Sequence, residues 1–182
     1  LKKDFKKEYG IKIFENYGLS ETLFISSETQ ITQTSDDSGV GKLLQGIEVK
    51  IVDKDGILLP TDQEGEILAK TPYLMREYHG NTEESQQKFS IQTWFETGDL
   101  GKMDRDGFLY ITGRKKDLII RGGINISPAA IENVIHSHEN VLECAVVGIP
   151  HKIQGEEIIA VVRVDKTGNF STIKDELIEI CK

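Results

Sequence analysis

At 182 residues the chain is long enough for one ordinary domain with a core, or for one domain and part of a second. Hydrophobic residues at 38% and charged residues at 29% are globular proportions and exclude a disordered chain. A net charge of −8, from 30 acidic and 22 basic residues, argues against nucleic acid or anionic lipid as the main partner, and two cysteines make no disulfide framework.

No apolar stretch approaches the roughly 20 residues that span a bilayer, and no signal peptide opens the chain. This pattern predicts a cytoplasmic setting, or one peripheral to a membrane. Both ends read as cut: Leu1 opens on a helical pattern with Phe5 and Tyr9, and Ile173, Leu177, Ile178 and Cys181 form an apolar face with no glycine cap after it. The sequence reads as a fragment of a longer protein.

Residues 1–9 predict the end of an amphipathic helix closed by Gly10. A strand over Ile11–Phe14 and a loop over Glu15–Glu21 follow, and 23–33 is strand-like. Ile47, Val49 and Ile51 alternate with more polar residues before a turn at Asp53–Gly56, and Gly65–Lys70 predicts another strand. Asp104–Gly107 predicts a turn into a strand over Phe108–Thr112. Gly39–Lys42 lacks the glycine, lysine and hydroxyl spacing of a phosphate loop and reads as a turn. Ser127–Pro128 is a hydroxyl N-cap with proline at the first helical position, followed by Ile131, Val134, Ile135 and His138 at helical spacing. Strands near Leu142–Ile149 and Ile158–Val164 precede a last helix, and Cys144 reads as a buried core residue.

The fold class is thus mixed α/β and β. Residues 1–35 read as the end of an α/β subdomain, 36–115 as a small distorted β-barrel, and 116–182 as the start of an α+β domain. His136 and His138 lie two apart on different helix faces and cannot pair as metal ligands.

Three stretches carry chemistry. In Glu15–Thr22, "ENYGLSET", a phenol, a glycine, a hydroxyl and a carboxylate are crowded together: groups suited to a base, a close approach, a phosphate and a cation. In Trp94–Gly101, "WFETGDLG", Asp99 is suited to a ribose diol. In Gly113–Asp117, "GRKKD", Arg114 offers a guanidinium to ribose or phosphate oxygens.

Taken together and in order, these stretches resemble the motifs of the adenylate-forming superfamily: acyl-CoA synthetases, peptide-synthetase adenylation domains and luciferases. "YGLSE" is similar to its Tyr-Gly-x-Thr/Ser-Glu segment and "GEILAKTPYLMREYHG" to its Gly-Glu strand with the tyrosine after it. "TGDLG" is similar to its Thr-Gly-Asp, "GRKKDLIIRGGINISPAAIE" to its hinge and glycine loop, and "VVGIPHKIQGE" to a later Val-Gly-x-Pro…Gly-Glu segment. The resemblance implies ATP, Mg²⁺ and CoA as cofactors. It places Tyr17 at adenine with Asn16 and Gly18 nearby, Ser20 at the phosphates, Glu21 as the catalytic Mg²⁺ ligand, and Asp99 and Arg114 at the ribose. Lys116 falls at the hinge between two half-reactions, and Gly122 and Gly123 in the loop lining the thiol's approach. The family's phosphate loop and late catalytic lysine are not in this sequence, so the fragment alone is expected to be inactive.

Lysine at the hinge favours an acyl-CoA ligase acting on a fatty or aryl carboxylic acid. The alternatives are an adenylation domain that loads a carrier protein, and a non-catalytic nucleotide-binding or interaction module.

Overall fold

The computed structural model describes residues 2–32, 39–79, 94–165 and 170–181. Two compact units divide the chain, Leu1–Thr112 and Gly113–Lys182. The expected subdomain boundary at residues 35 and 36 lies outside the described residues.

The first unit opens with helix α1 (Lys2–Tyr9). Phe5 and Tyr9, one turn apart, stack with ring centroids 4.7 Å from each other. Gly10 ends the helix in a left-handed conformation, its N–H donating to the Lys6 carbonyl at 2.9 Å, as the sequence predicts. Seven strands then form one antiparallel sheet: β1 (Asn16–Leu19), β2 (Leu23–Ser27), β3 (Gly39–Leu43), β4 (Glu48–Val52), β5 (Gly65–Lys70), β6 (Phe95–Met103) and β7 (Phe108–Arg114). Their spatial order is β1-β2-β3-β7-β6-β5-β4. Ile25, Ile47, Ile51, Ile67, Ala69 and Leu109 form the buried core, joined by the ring of Tyr17.

Several expectations are corrected here. No strand forms over Ile11–Phe14; the first rung pairs Asn16 with Ser27, inside the stretch expected to be loop. The ladder stops there because Glu28 engages Glu15 with its side chain as well as its amide. Its Oε2 accepts the Glu15 N–H at 2.9 Å while its own N–H reaches the Glu15 carbonyl at 2.8 Å. Lys2 neutralises this buried carboxylate from α1, with Nζ 3.1 Å from Glu28 Oε2. Gly39–Lys42 is strand, not turn. Its two glycines mark a register break between Gly39 and Lys42 against β7, and Gly41 has φ +84°. The Asp53 and Asp104 turns are hairpin turns as expected, each aspartate accepting backbone N–H groups two and four residues on.

In the second unit a 3₁₀ turn, Lys115–Asp117, precedes β8 (Ile119–Arg121), β9 (Ile124–Ile126), α2 (Pro128–His136), β10 (Val141–His151), β11 (Gly155–Val164) and α3 (Phe170–Ile180). The four strands order as β10-β11-β8-β9. Ser127 caps α2, its Oγ accepting the Ala130 N–H, and Pro128 takes the first position, as predicted. His138 lies beyond the end of α2 and is bonded to Glu176 of α3 at 3.0 Å. Ile119, Ile135 and Val146 are the buried centre, with Ile126, Ile131, Ile158, Val162 and Leu177 packed around them. Cys144 is half-buried at its margin rather than fully buried, because it sits on edge strand β10.

Gly46 and Gly41 separate two costs of adding a methyl group. Both have positive φ, but a Cβ at Gly46 meets nothing within 4 Å, whereas one at Gly41 would lie 2.0 Å from the Ser27 backbone. Gly46→Ala is expected to cost about 1 kcal/mol, the strain alone. Gly41→Ala should cost several times that, read as the shift in urea midpoint of the first unit.

Candidate functional site

Strand β6 alternates cleanly, with Phe95, Thr97 and Asp99 all on its buried face. An apolar series would be expected there. Instead the face turns polar along its length, ending in a carboxylate only 6% exposed. A buried carboxylate is costly unless hydrogen-bonded. Tyr17 answers that cost at the carboxylate, while Thr97 fixes the backbone of Asp99. The Tyr17 hydroxyl donates to Asp99 Oδ2 at 2.8 Å, and the Thr97 hydroxyl, itself donating to the Ile67 carbonyl at 2.7 Å, accepts the Asp99 N–H at 3.1 Å.

The Tyr17–Asp99 bond also defines the shape of the sheet. Three strands separate β1 from β6. Four steps of about 4.8 Å would hold them roughly 19 Å apart in a flat sheet, beyond the reach of two side chains. The sheet therefore curls, bringing the segments around Tyr17 and Asp99 together across 82 residues of sequence.

Gly18 is required by the hairpin itself. A Cβ there would lie 2.2 Å from the Leu23 carbonyl, where β1 and β2 approach at a bulge. Leu23 has φ +55°, a left-handed conformation that a branched apolar residue adopts at a cost. Thr22, fully buried, secures the turn: its hydroxyl accepts the Leu19 N–H at 3.3 Å and donates to the Leu23 carbonyl at 3.1 Å. Held on this turn, Ser20 is exposed and Glu21 half-buried. Glu21 is tied twice to the 71–79 segment, its Oε1 accepting the Tyr78 hydroxyl at 2.8 Å and its carbonyl the Met75 N–H at 2.8 Å. An oriented carboxylate of this kind fits Mg²⁺, which takes hard oxygen donors one or two at a time. Asn16 is exposed on β1.

In the second unit Arg114 ends β7 and is exposed, as is Lys116 in the 3₁₀ turn. The segment expected as a strand over Asp117–Arg121 begins as that turn and becomes strand only at Ile119. Gly122 and Gly123 form the two-residue turn between β8 and β9, with φ +59° and +82°. Positive φ at both central residues is the demand of a tight hairpin, which glycine meets without strain.

Sequence reasoning missed Tyr78, Thr97, Thr22 and Glu28 as individual residues. Thr97 had a signal: a hydroxyl two positions before a carboxylate on one strand face can accept that residue's amide.

Two family models match the chain: AMP-binding enzyme over residues 1–79 and AMP-binding enzyme C-terminal domain over residues 130–182. The chain belongs to this family of adenylate-forming enzymes. Among its relatives, YdaB of Bacillus subtilis is 39% identical over 96% of this chain and 34% of its own length. The 2-succinylbenzoate–CoA ligase of Bacillus cytotoxicus is 37% identical over 95% of this chain and 35% of its own. The ATP-bound crystal structure of MatB from Rhodopseudomonas palustris matches with a TM-score of 0.87 at 33% identity, covering 98% of this chain and 36% of that one. The chain thus spans about a third of the length of the relatives it matches. No helix among the described residues is long and apolar enough to cross a membrane.

Cys144 is half-buried at the margin of the second unit's core. Burial pushes its thiol above the ordinary range, with Glu132 and then Cys181 adding to the effect. A raised pKa leaves less thiolate at a given pH, so at pH 8 a disulfide reagent should modify exposed Cys181 well before Cys144, as peptide mapping would show. Tyr17→Phe removes the hydroxyl that donates to Asp99 Oδ2 and should destabilise the first unit by about 1–3 kcal/mol in urea unfolding.

Proposed function

We propose that the full-length parent of this chain activates a carboxylic acid with ATP and transfers the acyl group to CoA. The support is the Tyr17–Asp99 hydrogen bond, which joins the Tyr-Gly-x-Ser-Glu segment, inside the AMP-binding enzyme match, to the Thr-Gly-Asp segment in one curled sheet. Relatives named as CoA ligases, the 2-succinylbenzoate enzyme among them, support the choice of reaction.

A carboxylate is a poor electrophile. In the first step its oxygen attacks the α-phosphorus of ATP, the bond to the bridging oxygen breaks, and pyrophosphate leaves. In the second the CoA sulfur attacks the acyl carbon, AMP leaves, and the thiol proton passes to solvent. The first step brings two anions together, so positive charge must offset their repulsion. Mg²⁺ bound at Glu21 would supply part of it by polarising phosphate oxygens. Tyr78 holds the Glu21 carboxylate in place for that role.

Asp99 accepts hydroxyls of the ribose and Arg114 donates to its oxygens. Tyr17, only 9% exposed, orients Asp99 and offers the rest of its ring to adenine, with Asn16 and Gly18 beside it. Ser20, exposed on its turn, donates to phosphate oxygens. Lys116 is the pivot that changes the groups presented between the two steps, and the Gly122–Gly123 turn lines the route of the thiol. The acid is a fatty or aryl one, and the parent is cytoplasmic, where ATP and CoA are supplied. Lysine at the pivot favours CoA over a carrier-protein thiol.

Carboxylate-dependent pyrophosphate exchange by the full-length parent tests the first step, over a panel of fatty, aryl and amino acids. No exchange with any of them would overturn the proposal, and acyl transfer to a carrier protein but not to CoA would overturn the choice of thiol. Glu21→Ala should lower exchange by about 100-fold or more. Lys116→Pro should spare exchange and lower thioester formation; equal loss of both would make Lys116 structural.

A further inference from the structure

Strand β8 is attached to β11 by one ladder pair, Arg121 with Gly155. Ile119 packs into the core with Ile135 and Val146, and further polar contacts to β8 come from the segment Gln154–Glu157. Glu156 Oε2 accepts the Ile120 N–H at 2.5 Å. The Gln154 carbonyl accepts the Gly122 N–H at 2.8 Å, and Arg121 pairs with Glu157, Nη2 to Oε1, at 3.2 Å. Three consecutive residues leading into the Gly122–Gly123 turn are therefore held by one short segment.

Glu156 reaches Ile120 because Gly148, on the neighbouring strand β10, has no side chain. A Cβ on Gly148 would lie 2.8 Å from Glu156 Oε1 and 3.0 Å from its Cδ. The glycine of "VVGIP" and the glutamate of "QGE" are thus halves of one device: an empty position on β10 and a carboxylate that crosses it. A carboxylate accepting a backbone amide gives a stronger hydrogen bond than a neutral acceptor.

We propose that Glu156 is a positioning residue for the thioester-forming step, fixing the β8–β9 hairpin so that its Gly122–Gly123 apex is held for the incoming thiol. Gly148 is the position that permits it. This rests on the functional reading above and adds a residue to it.

The test has two arms. In the 182-residue chain, amide hydrogen exchange at Ile120 should accelerate at least about tenfold in Glu156→Ala and in Gly148→Ala, and little in Glu156→Gln, which keeps an acceptor oxygen. In the full-length parent, E156A and G148A should leave pyrophosphate exchange within about twofold of wild type. Both should raise the KM for CoA or lower thioester formation by roughly tenfold or more, and the double variant should be no worse than either single one. E156Q should stay near wild type.

Unchanged exchange at the Ile120 amide, equal loss of both half-reactions, or an intact second step in E156A would each overturn the proposal. Should E156A not fold, G148A carries the comparison, since it keeps the carboxylate and displaces it. A wild-type parent with no carboxylate-dependent exchange would overturn the functional reading instead, and the hydrogen-exchange arm would still decide the anchoring.

Discussion

A phenol donating to a carboxylate, both buried, is the constraint on which the first unit depends. Tyr17 and Asp99 sit on strands that a flat sheet would hold far apart, so their bond exists only if the sheet curls. The curl is also what makes a carboxylate on the inner face of β6 tolerable, since it brings the donor that the carboxylate needs. Fold and site are coupled here: loss of either partner leaves a buried polar group, and the sheet loses a reason to close.

The same economy appears around Glu21. Its turn contains Leu23 in a left-handed conformation and a bulge at Gly18, both unfavourable for an ordinary hairpin. Thr22 and Tyr78 hold the turn from two sides. A turn so tightly determined presents Ser20 and Glu21 at a fixed angle, which suits the phosphate and metal roles proposed for them, where little reorganisation is needed.

Much of this was legible in the sequence, but unevenly. The caps of α1 and α2 were clear because Gly10 and Ser127–Pro128 act locally. The chemistry-bearing segments stood out because phenol, hydroxyl and carboxylate are costly to crowd together without use. What the sequence concealed were decisions made by distant residues. Glu28 ends the β1–β2 ladder, and nothing in Ile11–Phe14 announces it. Gly39–Lys42 looked like a turn because glycine signals both a bend and a close approach, and only the Ser27 backbone tells which. The glycine pair at 122 and 123 invited a ligand reading, while its immediate cause is the hairpin turn.

The single rung between β8 and β11 has a consequence for how such a chain diversifies. Backbone ladder bonds do not themselves involve side chains, so an element held by many rungs loses less of its attachment to a single substitution. Beyond that rung and the packing of Ile119 and Ile126 in the core, the β8–β9 hairpin is held by a carboxylate, a carbonyl and an ion pair, two of which involve side chains open to substitution. Changes at Glu156 and Glu157 can therefore retune where the hairpin points while the sheet behind it is left untouched. That gives descent a small adjustable arm on an otherwise inherited frame.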